Sequence, residues 1–249
     1  MQGIILAAGS GTRLDHLTKE APKALIRVGE RTLVDYAIAF LNAVGIEDIV
    51  VVGGVHFEQI RECVESLGKG IRIVENKEYK KESLSSLQTA LPHVSGSFLQ
   101  IDVDFIYTWD IAEKVKAQLK GKGIKAICTS DKRAIPEDMV KVSVDGDLKV
   151  TDMEKDLPEF SYGYIGMFYC EKKSLPLLRE QTEKILEDAG ESGAKMWKAL
   201  TTVAERTGEV HVGDIGDFDA VEVDTPKERQ EAEKFIKRNQ KSVNRYFVV

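Results

Sequence analysis

Gly3-Ile4-Ile5-Leu6-Ala7-Ala8 runs directly into Gly9-Ser10-Gly11. An aliphatic run with no polar alternation has no side to offer water, so it reads as a strand buried on both faces. Strands of that kind belong to parallel sheets covered by helices on both sides, which constrains the chain to a layered α/β architecture. Ile49–Val52 repeats the pattern. Between the two, Leu33, Tyr36, Ala37, Phe40, Leu41 and Val44 recur at helical spacing, with Thr32 and Asp35 as a capping pair and Gly45 as the stop. A helix around Phe57–Leu67 closed by Gly68, a strand at Ile71–Val74, a loop near Asn76–Glu82, a helix around Ser83–Leu91 and a strand over Phe98–Asp104 continue the rhythm. Asp110 and Glu113 then cap a helix bearing Ile111, Val115 and Leu119. This alternation predicts a doubly wound, mostly parallel, Rossmann-like sheet.

The pattern changes after about Ile124. Val140–Val144 and Leu148–Asp152 alternate around Asp145-Gly146, a dipeptide suited to a tight hairpin turn. Tyr164–Cys170 is a further strand, two helical stretches lie within Lys173–Arg206, and Val210–Val212 and Ala220–Val223 are short strands. Thr225-Pro226-Lys227-Glu228 starts the last helix. No linker, low-complexity tract or repeat divides the chain, so residues 1–249 are expected to form one domain with a small β-rich insertion.

Composition excludes several classes. The chain has 249 residues, 43% of them hydrophobic, enough to bury a sizeable core without staples. Its net charge of −6 argues against nucleic acid as a partner. Cys63, Cys128 and Cys170 are odd in number and far apart, which excludes a disulfide framework and a CxxC zinc site and fits a reducing, cytoplasmic location. No run approaches the roughly 18 apolar residues of a membrane helix, and the N-terminus reads as a core strand rather than a signal peptide. His16, His56, His93 and His211 show no metal spacing, and Lys227–Lys241 reads as a solvated helix face.

The chemistry-bearing segment is Leu6-Ala7-Ala8-Gly9-Ser10-Gly11-Thr12-Arg13-Leu14. Glycines let backbone N–H groups approach a ligand closely, successive amides make a concave anion site, and Arg13 can clamp two phosphate oxygens. Leu14, five residues after Gly9, breaks both a Walker loop and a dinucleotide fingerprint. An ordinary glycine turn is the competing interpretation of these residues alone. Ala21-Pro22-Lys23-Ala24-Leu25 adds a second cation on a loop stiffened by proline. Asp102 and Asp104 share one side of a strand, as do Glu222 and Asp224. Acids beyond the carboxyl end of a sheet and beside a polyphosphate call for a bridging Mg²⁺. An N-cap or turn role for Asp104 and a helix-start role for Asp224 are the alternatives.

LAAGxGTRL followed by PKAL resembles the signature of nucleotidyltransferases that join an NTP to a sugar phosphate or alcohol phosphate. Gln100–Tyr107 and Ala220–Pro226 resemble that family's two acidic segments, and Lys155–Phe160 with Gly163 and Gly166 is similar to the acceptor side of its CTP-using members, above all those acting on inositol 1-phosphate. The resemblance implies a nucleotide-binding part over about residues 1–123, an acceptor side over about 124–225 and a C-terminal helix over 226–240. It implies an Mg²⁺-dependent cytidylyltransferase in which an acceptor phosphate attacks the α-phosphorus of CTP and pyrophosphate leaves. Gly9–Thr12 and Arg13 would hold the β- and γ-phosphates, with Leu6, Ala7 and Ala8 leading into that loop. Lys23 would act at the α-phosphate, Ser85 and Ser86 at the base, Lys155, Tyr164 and Gly166 at the acceptor, and Asp104 and Asp224 at the metal. Ser83–Gln88 also reads as a serine-rich helix start. Two positions depart from the family: Val103 stands where Gly often precedes the metal aspartate, and Tyr164 where relatives often carry an acid. Three rival functions remain: a sugar-1-phosphate nucleotidyltransferase, a phosphocholine cytidylyltransferase with an aromatic cage drawn from Trp109, Tyr162, Tyr164 and Phe168, and a non-catalytic nucleotide sensor. In the inositol-phosphate subgroup the domain can be fused to a membrane transferase, which the resemblance implies as a downstream partner. Arg245–Val249 is expected to pack on its own domain.

Overall fold

The computed structural model of the protein describes residues 1–18, 21–68, 70–132 and 135–247, the side chains of 15–17 excepted. The His16 side chain and Val248-Val249 therefore lie outside the described residues. In chain order the strands are β1 (Gln2–Ala7), β2 (Arg27–Val28), β3 (Arg31–Thr32), β4 (Asp48–Gly53), β5 (Ile71–Glu75), β6 (Phe98–Asp102) and β7 (Phe105–Tyr107). They continue with β8 (Ile124–Thr129), β9 (Lys141–Val144), β10 (Val150–Glu154), β11 (Tyr162–Cys170), β12 (Val210–Asp214) and β13 (Ala220–Glu222). The helices are α1 (Leu33–Val44), α2 (Phe57–Ser66), α3 (Glu82–Ala90), α4 (Trp109–Gln118), α5 (Leu175–Ala189), α6 (Met196–Thr207), α7 (Pro226–Arg238) and α8 (Gln240–Asn244).

The main sheet runs β10-β9-β11-β6-β1-β4-β5, with β8 paired to β11 and β12 to β8. β6, β1, β4 and β5 are parallel, as the aliphatic runs predict. The direction reverses at β11, which lies antiparallel to β6, β8 and β9. Side chains of β1 and of Ala8 just after it alternate between two cores: Ile5 and Ala7 face one with α1, α4 and α7, while Ile4, Leu6 and Ala8 face one with α3, α5 and α6. This is the doubly wound arrangement expected.

Local chemistry sets the element ends. Thr32 and Asp35 form the predicted capping box, and Gly45 closes α1 at φ 93°. α4 is capped two residues earlier than expected, at Thr108, whose hydroxyl donates to Asp110. The β9–β10 connection is longer than a two-residue turn. Asp145 accepts from the backbone of Asp147 and Lys149, and Leu148 rather than Gly146 takes the left-handed conformation. The strand predicted to run to Asp104 ends at Asp102, and Val103-Asp104 forms a turn into β7. The tail packs on its own domain through Tyr246, which donates to the Thr108 carbonyl, and through Phe247 against Tyr36.

β4 ends against the start of the glycine loop. A Cβ on Gly54 would stand 2.7 Å from the Ala8 carbonyl oxygen and 2.8 Å from the Ala8 Cβ. Gly54→Ala therefore has to push backbone rather than a flexible side chain. We expect its thermal midpoint to fall by about 3–10 °C, measured by circular dichroism.

Candidate active site

The carboxyl ends of β1 and β6 open into a cleft of about 880 Å³. Parallel strands all present their carboxyl ends on one side, so loops from distant parts of the sequence meet there. Leu6 through Arg13 line one wall, and Lys23, Asp102, Asp104 and Asp224 also reach the cleft. The glycine loop is fixed by the residue after it. The Leu14 amide donates to the Gly11 carbonyl and the Leu14 side chain is fully buried, so the leucine that breaks the Walker pattern is a core anchor. Gly11 has φ +61°, and a Cβ there would meet Lys23 Cβ and Thr18 Cγ2 at 2.9 Å. Only glycine lets the loop lie against Lys23.

Pro22 leads Lys23 into a short 3-10 turn, in which Leu25 donates to the Pro22 carbonyl and Ala24 is buried in the core. The Lys23 side chain, only 8% exposed, donates to Asp104 at 2.5 Å and to Asp224. Arg13, 66% exposed, pairs with the other oxygen of Asp224 at 2.5 Å. Residues 104 and 224 meet because β13 pairs antiparallel with β7, and the Val223 amide donates to the Asp104 carbonyl. The α7 cap then orients Asp224: its amide donates to Glu228, while the Glu228 amide donates to the capping Thr225 hydroxyl.

Burial alone would lower the Lys23 pKa, but the charges of Asp104 and Asp224 outweigh it and hold the ammonium above its ordinary value. Burial would raise Asp224, and the Lys23 charge outweighs that and holds it below the usual carboxylate range. Glu222 is raised, first by burial and then by Asp104 and Asp224. Asp102 is pushed up to about 8, first by burial and then by the charge of Asp104.

Ligand oxygens of Asp104, Glu222 and Asp224 all lie within 4.8 Å of one another. Asp104 Oδ1 is buried with no hydrogen-bond partner. An all-oxygen donor set with an unmet carboxylate oxygen fits a hard divalent cation.

Among the other expected residues, Ser86, Lys155 and Tyr164 line the cleft, whereas Ser85 and Gly166 do not. The Ser85 hydroxyl donates to the Glu78 and Glu82 carbonyls and accepts from Asn76, so it ties down the loop before α3. Gly166 takes φ +72° beside Asp102 and Phe105, where β11 breaks register with β8. Of the four aromatic cage candidates only Tyr164 lines the cleft. Trp109 packs on Tyr246 and Phe168 on Phe98, while Trp197 lines the cleft unanticipated. Lys195 and Trp197 arrive because the loop before α6 is clamped to α3: Leu84 donates to the Ala194 carbonyl, and Met196 to the Ser83 hydroxyl. No local motif announces that contact.

Backbone amides on one wall and converging acids beside a buried lysine suit a polyphosphate held with a cation, and on this fold they define a nucleotidyltransferase. The chain belongs to the MobA-like NTP transferase domain family, whose model matches residues 3–206. It is 30% identical over 237 residues to a bifunctional IPC transferase and DIPP synthase of Rubrobacter xylanophilus, covering 93% of this chain and 51% of the relative. It is 39% identical over 105 residues to a choline-phosphate cytidylyltransferase of Streptococcus pneumoniae, covering 42% of this chain and 44% of that one. The chain thus spans about half the length of the curated relatives it matches. The inositol-1-phosphate CTP transferase from T. maritima superposes with a TM-score of 0.80 at 22% identity over 97% of both chains, which shows a shared fold. Among the described residues no helix is long and apolar enough to cross a membrane.

The raised Asp102 yields a stability prediction. The native state keeps a proton that the unfolded chain releases near pH 4, so this residue lowers stability as pH rises from about 4 toward about 8, and no further above that. Asp102→Asn removes the titration. Its thermal midpoint relative to wild type should climb by several degrees across that window and then level off in a melting series over pH.

Proposed function

We propose that the chain transfers CMP from CTP to inositol 1-phosphate with release of pyrophosphate. The observation that carries this reading is the convergence of the glycine loop, Lys23 and the two aspartates in one cleft that also reaches Lys155 and Tyr164. The cytidylyltransferase relative supports CTP, and the acceptor-side segment Lys155–Gly166 supports a phospho-alcohol. The stretch of 39% identity to a choline-phosphate enzyme keeps phosphocholine as the second reading.

In this reading the Gly9–Thr12 amides and Arg13 bind the phosphates that become pyrophosphate. Lys23 leaves its aspartates for the α-phosphate as negative charge gathers there. Lys155 binds the phosphate of the acceptor, whose oxygen forms a bond to the α-phosphorus in line while the bond to the β-phosphate oxygen breaks. A phosphate monoester is already nucleophilic at neutral pH, so positioning and charge neutralisation do the catalytic work. Ser83, Ser86 and Tyr79 line the cleft beyond the glycine loop, and we assign them to the base. Asp104 and Asp224 would hold Mg²⁺, with Glu222 beside them, and the ion when bound would supply charge neutralisation to the phosphate oxygens.

Pyrophosphate release should be measured with Mg²⁺, crossing four NTPs against inositol 1-phosphate, phosphocholine and glucose 1-phosphate. CTP with inositol 1-phosphate is the expected pair. CTP with phosphocholine would move the acceptor, UTP or dTTP with glucose 1-phosphate would make the chain a sugar nucleotidyltransferase, and CTP binding without turnover would indicate a sensor. Lys23→Ala should lower kcat by about 10²–10³-fold while raising KM for CTP far less. Weakened CTP binding with kcat intact would remove Lys23 from the transition state. A far-ultraviolet spectrum separates either result from unfolding, since the substitution leaves two enclosed acids without their lysine.

A further inference from the structure

At the acceptor end of the cleft, polar groups stand without partners. Asp102 ends β6 and lies outside the three-acid cluster. Its Oδ1 accepts from Gln100 Nε2 at 3.0 Å, and among the described residues nothing donates to its Oδ2. Gly166 keeps that oxygen uncovered. A Cβ there would stand 3.2 Å from Asp102 Oδ2 and 3.0 Å from the Phe105 ring, so any side chain would lie over the carboxylate. Two residues earlier on the same strand, Tyr164 lines the cleft with only 6% of its surface exposed, and its hydroxyl has no partner. Gln100 Oε1, behind Asp102, is also unmet.

We propose that Asp102 and the Tyr164 hydroxyl form a hydroxyl-reading floor that selects a polyhydroxylated ring phosphate over a quaternary-ammonium phosphate. The inference deepens the assignment of inositol 1-phosphate and rests on it. Buried polar groups in a native fold are nearly always paired, so an enclosed phenol without a partner, with an uncovered carboxyl oxygen in the same cleft, points to a partner that arrives with the ligand. A ring hydroxyl is both donor and acceptor, so it can pair with Asp102 Oδ2 and with the Tyr164 O–H together. A trimethylammonium group offers neither and leaves both unmet. It calls instead for several aromatic faces; Tyr79, Tyr164 and Trp197 line the cleft, and Tyr79 is already assigned to the base. Gly166 acts here by leaving room rather than by touching the acceptor.

Tyr164→Phe removes only the unpaired hydroxyl, and Asp102→Asn exchanges a carboxyl oxygen for an amide nitrogen at constant shape. Pyrophosphate-release kinetics should compare inositol 1-phosphate with n-propyl phosphate, which has no hydroxyls. Each variant should lower the ratio of kcat/KM for inositol 1-phosphate over propyl phosphate about tenfold, with KM for CTP held within about twofold. Equal loss on both acceptors would reduce the two residues to packing and overturn the proposal. Failure of the assigned reaction looks different, because wild type itself would then release no pyrophosphate from CTP and inositol 1-phosphate. Calorimetric binding of the same two phosphates to wild type and variants then makes the comparison. Tighter binding of phosphocholine than of inositol 1-phosphate, or no discrimination between inositol 1-phosphate and propyl phosphate, would overturn the floor.

Discussion

The ammonium of Lys23, enclosed between Asp104 and Asp224, is the interaction on which the site depends. Removing three charges from water is costly, and mutual attraction repays that only when the geometry is tightly held. Each member is held by separate means: Lys23 by a proline-led 3-10 turn whose Ala24 is buried, Asp104 by the turn into β7, and Asp224 by the α7 cap. Asp104 and Asp224 are matched by Lys23 and, from a mostly exposed position, by Arg13, while burial and those two acids hold the Glu222 carboxyl alongside well above its usual range. Even so, one oxygen of Asp104 is left unmatched. An unmet carboxyl oxygen is tolerable where a cation is a working part of the site and hard to explain in a purely structural ion pair.

The same arrangement gives Lys23 and Arg13 two sets of partners. Both pair with the acids, and both stand beside the amides of the glycine loop in one cleft. An entering polyphosphate offers them anionic oxygens in place of carboxylates, so its binding exchanges ion pairs rather than creating charge in a dry pocket. The exchange favours ligands that carry their own cation, because the carboxylates released by Lys23 are otherwise left facing one another.

The parallel half of the sheet was legible because local rules decide it. Aliphatic runs made β1 and β4, a capping box made α1, and a strand passing into glycine made the loop that lines the cleft. The acids were legible as residue types but not by the geometry assumed for them. Asp104 and Asp224 do not sit on strands whose alternation aligns them. They lie just beyond β6 and β13, and the β7–β13 ladder brings them together. A pairing of two three-residue strands more than a hundred residues apart leaves no periodic trace. Ser85 misled because adjacent helical residues point about 100° apart, so one serine of the pair reaches the cleft and the other ties the loop. Trp197 was invisible for a different reason: it enters the cleft through a loop clamp between α3 and α6, a tertiary contact with no sequence signature.

The reversal of strand direction at β11 divides the labour of the cleft. Parallel strands β6, β1, β4 and β5 aim their carboxyl ends at one place, where amides and a lysine suit any nucleoside triphosphate. β11 enters from the opposite direction and lays Tyr164 and Gly166 beside the end of β6. β6 belongs to both halves. Asp102 closes the strand beside Gly166 of β11, and Asp104, two residues on and past a turn, faces Lys23. Two residues span about 7 Å at most, so the group proposed to read the acceptor and the group proposed to help hold the phosphates share one short rigid segment. On the proposed reading, an acceptor seated on Asp102 is placed relative to the reacting phosphate without any moving part. Substitutions on β11 would then change which alcohol is chosen while the phosphate chemistry, anchored on the parallel strands, stays as it is.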